Sequence, residues 1–205
     1  MTSSEAATVA DHWCNTISGR KFSYVDTDPD SIDLHDIAHA LSLQCRYNGH
    51  IIHFFSVAQH SVYVSQVAAD IYSSMATTKN TYNRDIERLI ALWGLFHDAS
   101  EAYMGDLVRP LKRMMPQYEA MEARLDTIIQ TKFAGRPIPP LYHEIIKEAD
   151  NRVLAAEVET LVPNLHADWS IPWSPAQIPG GIQLCAPRDA EDLFLACYEG
   201  LRHVG

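Results

Sequence analysis

The chain has 205 residues, of which 47% are hydrophobic, and its formal net charge at pH 7 is -10. This size and apolar fraction predict a single domain over residues 1–205, with a core at about residues 30–160 and a C-terminal extension at 161–205. The acidic balance and the lack of a Lys/Arg cluster argue against a nucleic-acid polymer as partner, because binding a phosphate backbone requires a basic face.

The cysteine pattern and the absence of long apolar runs indicate the compartment. Cys14, Cys45, Cys185 and Cys197 show no CxxC pairing and no regular spacing, so neither a zinc knuckle nor a disulfide framework is expected. No apolar run approaches the roughly 18 residues of a membrane span, and the N-terminus has no secretory signal. We therefore expect a cytoplasmic protein without a membrane partner.

The N-terminal part is predicted to hold one short hairpin and one helix. Turn residues surround the stretch FSYV, so this segment forms at most a brief strand or hairpin, at a lid or an edge. Apolar residues from Ser31 onward recur at helical spacing, and Asn48-Gly49 supplies a stop signal. Helical periodicity also dominates the rest of the chain, so the predicted fold class is all-α.

The later helices are predicted from start and stop signals. Ser56 and Gln59 form a capping box that opens a helix, and a Ser/Thr/Asn-rich loop follows at 73–83. The GRPIPP stretch contains prolines that end helical continuity. Periodic apolar residues predict further helices at about 84–103, 117–133, 143–162 and 188–203. Residues 163–187 are predicted to be irregular.

Polar side chains interrupt the apolar faces of three predicted helices. His60 lies among valines, His97 and Asp98 follow the apolar run LIALWGL, and Asp150 lies on the apolar stripe of its helix. A buried charge without a partner is costly or shifts its pKa until it is neutral. A divalent cation would offset that cost, because two imidazoles and two carboxylates suit Mn, Fe, Co, Ni or Zn.

Each of these residues also has a structural explanation when it is considered alone. His60 could be a hydrogen-bonded core histidine, and Asp150 could cap a neighbouring helix or pair with Arg152. The joint pattern H(x36)HD(x51)D on three predicted helices favours a metal site over the separate explanations.

Three motifs, SVAQHS, LFHDASEAYMGDLVRPLK and EADNRV, resemble those of the HD-domain metal-dependent phosphohydrolases, an all-helical family. The resemblance covers about residues 30–160. Within the family, the motifs are most similar to those of bacterial 5'-deoxynucleotidases and of phage dATP triphosphohydrolases that accompany replacement of adenine by 2-aminoadenine. The stretches DIAHALS, CRYNGH and FFSVAQHS favour the phage-type relatives, which would place the protein in the cytoplasm of a bacteriophage host.

The resemblance assigns roles to the residues that match the family's motifs. His60, His97, Asp98 and Asp150 match the metal ligands, and Glu101 matches the catalytic acidic residue. On a continuous helix, Glu101 would lie one turn after His97, where it could orient the attacking water or protonate the leaving oxygen. The alternative for Glu101 is a salt-bridged surface residue.

Further residues are candidates for binding the substrate. Asp106 matches the carboxylate that accepts the sugar 3'-hydroxyl and crowds a 2'-hydroxyl, although it could also cap a turn. Arg46 and Lys112 are candidate phosphate-binding cations that would also neutralise charge during catalysis, and Arg109 is a weaker candidate. Tyr47 follows Arg46 where the deoxynucleotidases have a tryptophan, so it is a candidate wall of the base pocket or a packing residue.

Four other histidines do not fit this pattern. His35 and His39 have the i, i+4 spacing of a metal pair, but no third ligand follows, so roles in packing or in supporting the ligands are favoured. His50 and His53 have no predicted role.

The resemblance implies hydrolysis of deoxynucleotides by water that the metal activates, with dATP as the leading substrate and deoxyadenosine and triphosphate as products. Additional Mg²⁺ or Co²⁺ would accompany the triphosphate. The alternatives are a 5'-deoxynucleotidase that acts on monophosphates and a nucleotide-sensing module without turnover. Glu101 favours an enzyme, since a pure binder does not need that carboxylate. Relatives form dimers or larger rings, so a homo-oligomer, either a dimer or a hexamer, is expected.

Overall fold

A computed structural model of the chain describes residues 12–75 and 82–202, which form eight α-helices and one antiparallel hairpin. The hairpin pairs β1 (Trp13–Asn15) with β2 (Lys21–Ser23), and Phe22 of β2 is buried. The helices are α1 (Leu34–Leu43), α2 (Val57–Met75), α3 (Arg84–Leu95), α4 (Glu101–Met104), α5 (Arg109–Lys112), α6 (Pro116–Ala134), α7 (Pro140–Leu161) and α8 (Pro187–Arg202). The predicted all-α fold class is confirmed.

The first helix is shorter than predicted. It ends at Leu43, and Arg46–Gly49 form a separate 3₁₀ turn in which Tyr47 and Asn48 have φ values of 58° and 51°. Between α1 and this turn, Gln44 and Cys45 are extended, and Cys45 pairs with Ser56 in an antiparallel bridge, which explains the early end of the helix. The predicted capping box of α2 is confirmed, because the Gln59 amide donates to Ser56 Oγ at 3.2 Å and the Ser56 amide donates to Gln59 Oε1 at 3.4 Å.

The predicted helix at 84–103 is divided into two helices. α3 ends at Leu95, and the following turns form close backbone contacts, including Ala99 N to the Phe96 carbonyl at 3.2 Å. The side chain of His97 donates from Nδ1 to the Gly94 carbonyl at 2.8 Å and so occupies an acceptor at the end of α3. The prediction that Glu101 follows His97 on one continuous helix is therefore wrong, since Glu101 begins α4.

Other boundaries differ by smaller amounts. α2 extends through Met75, so Ser73 and Ser74 are helical and not part of the predicted loop, of which residues 76–81 lie outside the described ranges. α5 was not predicted, and α7 begins three residues early, at Pro140, where a proline suits the first helical turn. Residues 163–186 contain no helix or strand, as predicted.

The packing of α2 against α3 brings the two candidate histidine ligands together. At Gly94 an added Cβ would lie 3.0 Å from Ser65 Cα, so only glycine permits this approach. Ser65 Oγ also donates to the Ala91 carbonyl at 2.8 Å. His60 and His97 each lie about one turn from this contact, on α2 and just after α3. Close packing of the two helices thus places both imidazoles at one point.

One cluster of buried apolar side chains extends from Phe22 in β2 to Tyr198 in α8. Phe96, immediately before His97, packs against Phe133 of α6 and Phe194 of α8, with ring centroids 5.2 and 5.8 Å apart. These contacts anchor the turn that carries His97 and Asp98. All four cysteines are free, and no helix within 12–75 or 82–202 has both the length and the apolar character needed to span a membrane.

Candidate active site

Three of the four predicted metal ligands, His60, His97 and Asp150, converge where α2, α7 and the turn after α3 meet, and the fourth, Asp98, lies beside the two histidines. His60 Nε2 lies 3.2 Å from His97 Nε2 and 3.3 Å from Asp150 Oδ1, and one ligand atom of each of these residues lies within 4.8 Å of the others. Asp98 Oδ2 lies 3.1 Å from His97 Nε2 and 3.7 Å from His60 Nε2. Residues from distant parts of the chain therefore place two imidazoles and two carboxylates around one point.

The hydrogen bonds at the far side of each ring determine which nitrogen carries the proton. His97 Nδ1 donates to the Gly94 carbonyl at 2.8 Å, and His60 Nδ1 is 2.6 Å from Glu157 Oε1. Because both partners accept, each neutral ring has its proton on Nδ1 and a lone pair on Nε2. Two lone pairs facing each other at 3.2 Å repel, and a cation bound to both nitrogens relieves that repulsion. The donor set therefore fits a divalent metal.

The charges around His60 also favour a cation here. Burial and the neighbouring Arg46 lower the pKa of His60, but the carboxylates of Glu157 and Asp150 outweigh them and raise it to about 9. Burial opposes ionisation of Asp150, but the imidazoles of His60 and His97 lower its pKa to about 2. A divalent cation would supply the positive charge that these carboxylates favour while leaving both imidazoles neutral.

Glu157, which was not predicted, connects a candidate ligand to two candidate substrate-binding residues. Its side chain is fully buried, and it accepts hydrogen bonds from His60 Nδ1 at 2.6 Å, the Tyr47 hydroxyl at 2.9 Å and Arg46 Nη2 at 3.3 Å. Burial opposes its ionisation, but Arg46 and His60 hold its pKa below the usual value. Its position seven residues after Asp150, on the same face of α7, was the available sequence signal.

Arg46 and Tyr47 are held in a strained turn beside the site. Tyr47 and Asn48 adopt left-handed backbone angles, which cost about 1–2 kcal/mol per residue. Such strain persists only where surrounding contacts over-determine it. Here the Tyr47 hydroxyl is bound to Glu157, the Arg46 guanidinium lies 5.5 Å from the Tyr47 ring centroid, and Arg46 Nη1 is 3.8 Å from Asp98 Oδ2.

Glu101 is buried beside the candidate ligands. Its side chain begins α4 and has an exposed fraction of only 3%, which excludes the alternative of a surface ion pair. Lys112 Nζ is 3.4 Å from Glu101 Oε1, and within the described ranges Oε2 is buried without a hydrogen-bond partner. Burial, together with the charges of Asp98 and Asp106, raises the pKa of Glu101 well above its usual value. A carboxyl in this setting can hold a proton near neutral pH.

Two of the candidate cations pair with carboxylates of the site. Lys112 Nζ is 2.6 Å from Glu122 Oε1, and burial lowers its pKa less than Glu122 and Glu101 raise it. Arg109 pairs through Nη2 with Asp150 and donates from Nη1 to Asn151 Oδ1 at 2.9 Å. Lys112 thus partly neutralises Glu101, while Arg109 reaches a candidate metal ligand.

Asp106 is placed by a glutamine that binds the chain on both sides of α4. Gln44 Nε2 donates to the Glu101 carbonyl at 2.9 Å, and Gln44 Oε1 accepts from the Asp106 amide at 3.0 Å. Burial raises the pKa of Asp106, and Asp98 adds to this while Arg46 opposes it. No described residue donates a hydrogen bond to the Asp106 carboxylate, which lines the cavity, so the turn-capping alternative is not seen.

A cavity of about 670 Å³ adjoins the candidate ligands, a size typical of small-molecule sites. Asp98 and Asp150 line it together with the candidate catalytic and substrate-binding residues. Trp169 and Trp173, from the irregular segment after α7, also line it. The sequence patterns did not associate these two tryptophans with the site.

Comparison with known proteins identifies the family. Residues 48–164, more than half of the chain, match the sequence model of the family described as 5'-deoxynucleotidase YfbR-like. The chain belongs to this family, which is part of the HD-domain superfamily. The predicted membership of the HD-domain group is therefore confirmed.

Several relatives share long regions with this YfbR-like chain. The uncharacterized protein YfdR of Escherichia coli (strain K12) is 34% identical over 92% of this chain and 95% of its own length. An uncharacterized protein of Rhodobacter capsulatus is 30% identical over 73% of this chain and 72% of its own. A protein of Yersinia pestis (strain Pestoides F) named 5'-deoxynucleotidase is 30% identical over 55% of this chain and 56% of its own.

The YfbR-like match covers most of the site but not all of it. It contains all four candidate ligands, Glu101 and Glu157. Arg46 and Tyr47 precede the matched region, and both tryptophans of the cavity follow it. The cavity of this family member is thus completed by residues from outside the family match.

The remaining histidines lie outside the cluster of ligand atoms in the described chain. His39 Nδ1 is 3.0 Å from Glu191 Oε2, so it links α1 to α8 in a packing role. His35 is exposed, and the predicted packing role is therefore wrong for this residue. His50 and His53 are also exposed.

Proposed function

We propose that the protein is a divalent-metal-dependent phosphohydrolase that removes the 5'-phosphate from deoxynucleoside monophosphates. The observation that carries this proposal is buried Glu101, whose unpartnered carboxyl oxygen shares one cavity with the converging candidate ligands. A nucleotide-sensing module would need the cations and the metal but not a buried acid with a raised pKa. Family membership and the relative named 5'-deoxynucleotidase support the same reaction class.

Different side chains have different roles in the proposed reaction. A divalent cation held by His60, His97, Asp98 and Asp150 would supply Lewis-acid activation of water and of the phosphoryl group. Glu101 donates a proton to the leaving 5'-oxygen when protonated, or accepts one from the attacking water when ionised.

Charge around the phosphate comes from the cations that line the cavity. The Arg46 guanidinium is buried, and its Nε has no partner within the described ranges, so it can donate to a phosphoryl oxygen. Lys112 stays between Glu101 and Glu122, where it limits the repulsion between Glu101 and the phosphate. Electrostatic stabilisation and positioning are the main contributions that a protein makes to phosphoryl transfer.

The charge of one divalent cation matches a monophosphate. A phosphate monoester carries about -1.5 to -2 charge at pH 7, which a single divalent cation offsets. Most cations of the cavity lining are already paired, because Arg46 lies beside Glu157, Lys112 beside Glu101 and Glu122, and Arg109 beside Asp150.

The second candidate is a dATP triphosphohydrolase that forms deoxyadenosine and triphosphate. The cavity volume of about 670 Å³ can hold a triphosphate, and Arg113 is the one lining cation without a carboxylate partner in the described part of the chain. A triphosphate has more negative charge than the single metal offsets, so this reaction would need additional Mg²⁺ or Co²⁺. The monophosphate therefore has the simpler charge balance.

A substrate panel tests the proposed function. Metal-loaded protein is incubated with equal concentrations of dAMP, dGMP, dCMP, dTMP, dATP and dGTP, and the products are identified by ion-exchange chromatography. We expect deoxynucleoside and inorganic phosphate from the monophosphates. Release of intact triphosphate from dATP at a higher kcat/KM than the hydrolysis of dAMP would establish the second candidate instead. Binding without turnover for all six compounds would indicate a sensing module.

Replacing Asp106 by alanine should reduce the preference for 2'-deoxy sugars. Its carboxylate has no hydrogen-bond donor among the described residues, so it is available to accept the sugar 3'-hydroxyl and to crowd a 2'-hydroxyl. We expect the ratio of kcat/KM for dAMP to that for AMP to fall by roughly tenfold, because the 2'-hydroxyl of AMP is no longer crowded, while loss of the hydrogen bond to the 3'-hydroxyl lowers kcat/KM for both substrates. Aspartate at exposed position 168 provides a matched control, Asp168→Ala. An unchanged ratio in Asp106→Ala would remove Asp106 from sugar selection.

A further inference from the structure

The segment between α7 and α8 is fixed to the helices that carry the site. The Ala176 amide donates to the Arg152 carbonyl of α7 at 2.8 Å, and Ala176 itself is buried. Further along, the Gln183 carbonyl accepts from Gln59 Nε2 of α2 at 2.9 Å, and the Gln183 amide donates to the Tyr63 hydroxyl at 3.0 Å. The part of this segment after Trp173 therefore has a definite position relative to α2 and α7.

Two tryptophans of this segment line the cavity and do not belong to the cluster of buried apolar side chains. Trp169 has an exposed fraction of 41%, and Trp173 is half-buried. The Trp169 and Tyr47 rings have centroids 6.5 Å apart and planes inclined at 59°. The Tyr47 ring is held by its hydroxyl on Glu157 and by the Arg46 guanidinium. Three aromatic rings thus line a cavity whose remaining lining combines charged side chains with apolar ones, among them Leu107 and Leu154.

We propose that Trp169 and Trp173, together with Tyr47, bind the nucleobase of the substrate by stacking. This inference rests on the proposed function, because it assigns the base-binding part of the same cavity. Every nucleobase has a flat π face, and aromatic side chains bind it without needing a specific hydrogen-bond pattern. The YfbR-like family match ends at residue 164, before both tryptophans, so the family match does not include this wall.

The position of Tyr47 relative to the candidate ligands supports this assignment. Glu157 binds the Tyr47 hydroxyl and also His60 Nδ1, so one buried carboxylate orients an aromatic wall residue and a candidate metal ligand. With the phosphate at the metal and Arg46, the rest of the nucleotide lies in the cavity that Tyr47, Trp169 and Trp173 line.

The test compares a substrate that has a base with one that lacks it. Metal-loaded wild type, Trp169→Ala, Trp173→Ala and Trp173→Phe are assayed with dAMP and with 2-deoxyribose 5-phosphate. Trp13→Ala is the matched control, because Trp13 has a similar exposed fraction of 45% but does not line the cavity. Melting temperatures verify that each variant is folded.

We expect each Trp→Ala change to reduce kcat/KM for dAMP by roughly 5- to 100-fold, the range measured for stacking of a base on an aromatic side chain. The value for 2-deoxyribose 5-phosphate should not change, and Trp173→Phe should retain most of the activity on dAMP. An unchanged kcat/KM for dAMP, or an equal loss with both substrates, would overturn the base-stacking proposal and leave the proposed phosphohydrolase function intact.

Calorimetric titration with dAMP separates the two proposals further. If wild type binds dAMP without hydrolysing it, the proposed function fails. The stacking proposal is then decided by affinity. A Kd for Trp169→Ala that is roughly 5- to 100-fold higher than that of wild type supports the proposal, and an equal Kd overturns it. Absence of dAMP binding to metal-loaded wild type would overturn both proposals.

Discussion

Replacing His97 by alanine should remove the bound metal and reduce phosphohydrolase activity to the background of the assay. His97 Nε2 faces His60 Nε2 at 3.2 Å and Asp98 Oδ2 at 3.1 Å, so its loss opens one side of the candidate metal site. It also removes the imidazole that lies 3.1 Å from Asp98 Oδ2, which leaves His60 to serve both Asp98 and Asp150. Metal content by elemental analysis and turnover of dAMP measure both effects on the same sample. Asp150→Ala should behave in the same way.

Thermal unfolding provides a second readout of the same prediction. A ligand that binds only the folded state stabilises it by about 2.7 kcal/mol at a hundredfold excess over its Kd. A chelator should therefore lower the melting temperature of wild type and leave that of His97→Ala unchanged. His35→Ala is the matched control, because His35 is an exposed histidine outside the cluster of ligand atoms. Active wild-type protein that contains no metal would contradict the proposed site and mechanism.

Periodicity and local signals were sufficient to predict most of the helices. The capping box at Ser56, the breaks at Gly105 and Gly135, and the apolar stripes of α6, α7 and α8 are local properties that one sequence contains. The end of α3 at Leu95 was missed, because it depends on the His97 side chain taking the Gly94 carbonyl. The end of α1 was missed because the extended residues Gln44 and Cys45 depend on distant partners: Cys45 pairs with Ser56, and the Gln44 side chain binds the backbone at Glu101 and Asp106.

Some residues of the candidate site could also be predicted from local sequence signals, and others could not. The predicted ligands His60, His97, Asp98 and Asp150 are polar residues beside apolar ones, and the structure brings them together. Glu157 shares the helix face of Asp150, but it was not predicted, because its contacts to His60, Tyr47 and Arg46 come from distant parts of the chain. Trp169 belongs to an irregular segment without periodicity, so only the tertiary fold could place it against the cavity. Tertiary contacts determine the residues that surround a ligand, and the spacing of residues along the sequence does not show these contacts.

Glu101 has two features that rarely occur together unless a carboxyl group takes part in chemistry. It is buried, and in the described ranges one of its oxygens has no hydrogen-bond partner, which is an unfavourable arrangement for a purely structural residue. Lys112 approaches the other oxygen at 3.4 Å but is closer to Glu122, at 2.6 Å. Because Glu101 also lines the cavity, its carboxyl group lies beside the space for a water or for the leaving group of a bound substrate.

Replacing Glu101 by glutamine should lower kcat for dAMP by about 10²- to 10⁴-fold, the usual contribution of a positioned general acid or base. Glutamine has nearly the same shape but can neither donate nor accept the transferred proton, so metal content and the Kd for dAMP should stay within a few-fold of wild type. Glu101→Ala should lose turnover to a similar extent. Steady-state kinetics, calorimetric titration and elemental analysis measure these three quantities.

The control for this substitution is Glu119→Gln, which makes the same chemical change at an exposed position of α6 that does not line the cavity. It should leave kcat, metal content and affinity unchanged. A kcat within a few-fold of wild type in Glu101→Gln would show that the proton is transferred by another group. A loss of metal together with activity would instead show that Glu101 supports the metal site. A role in proton transfer requires that the variant keeps its metal and still binds dAMP.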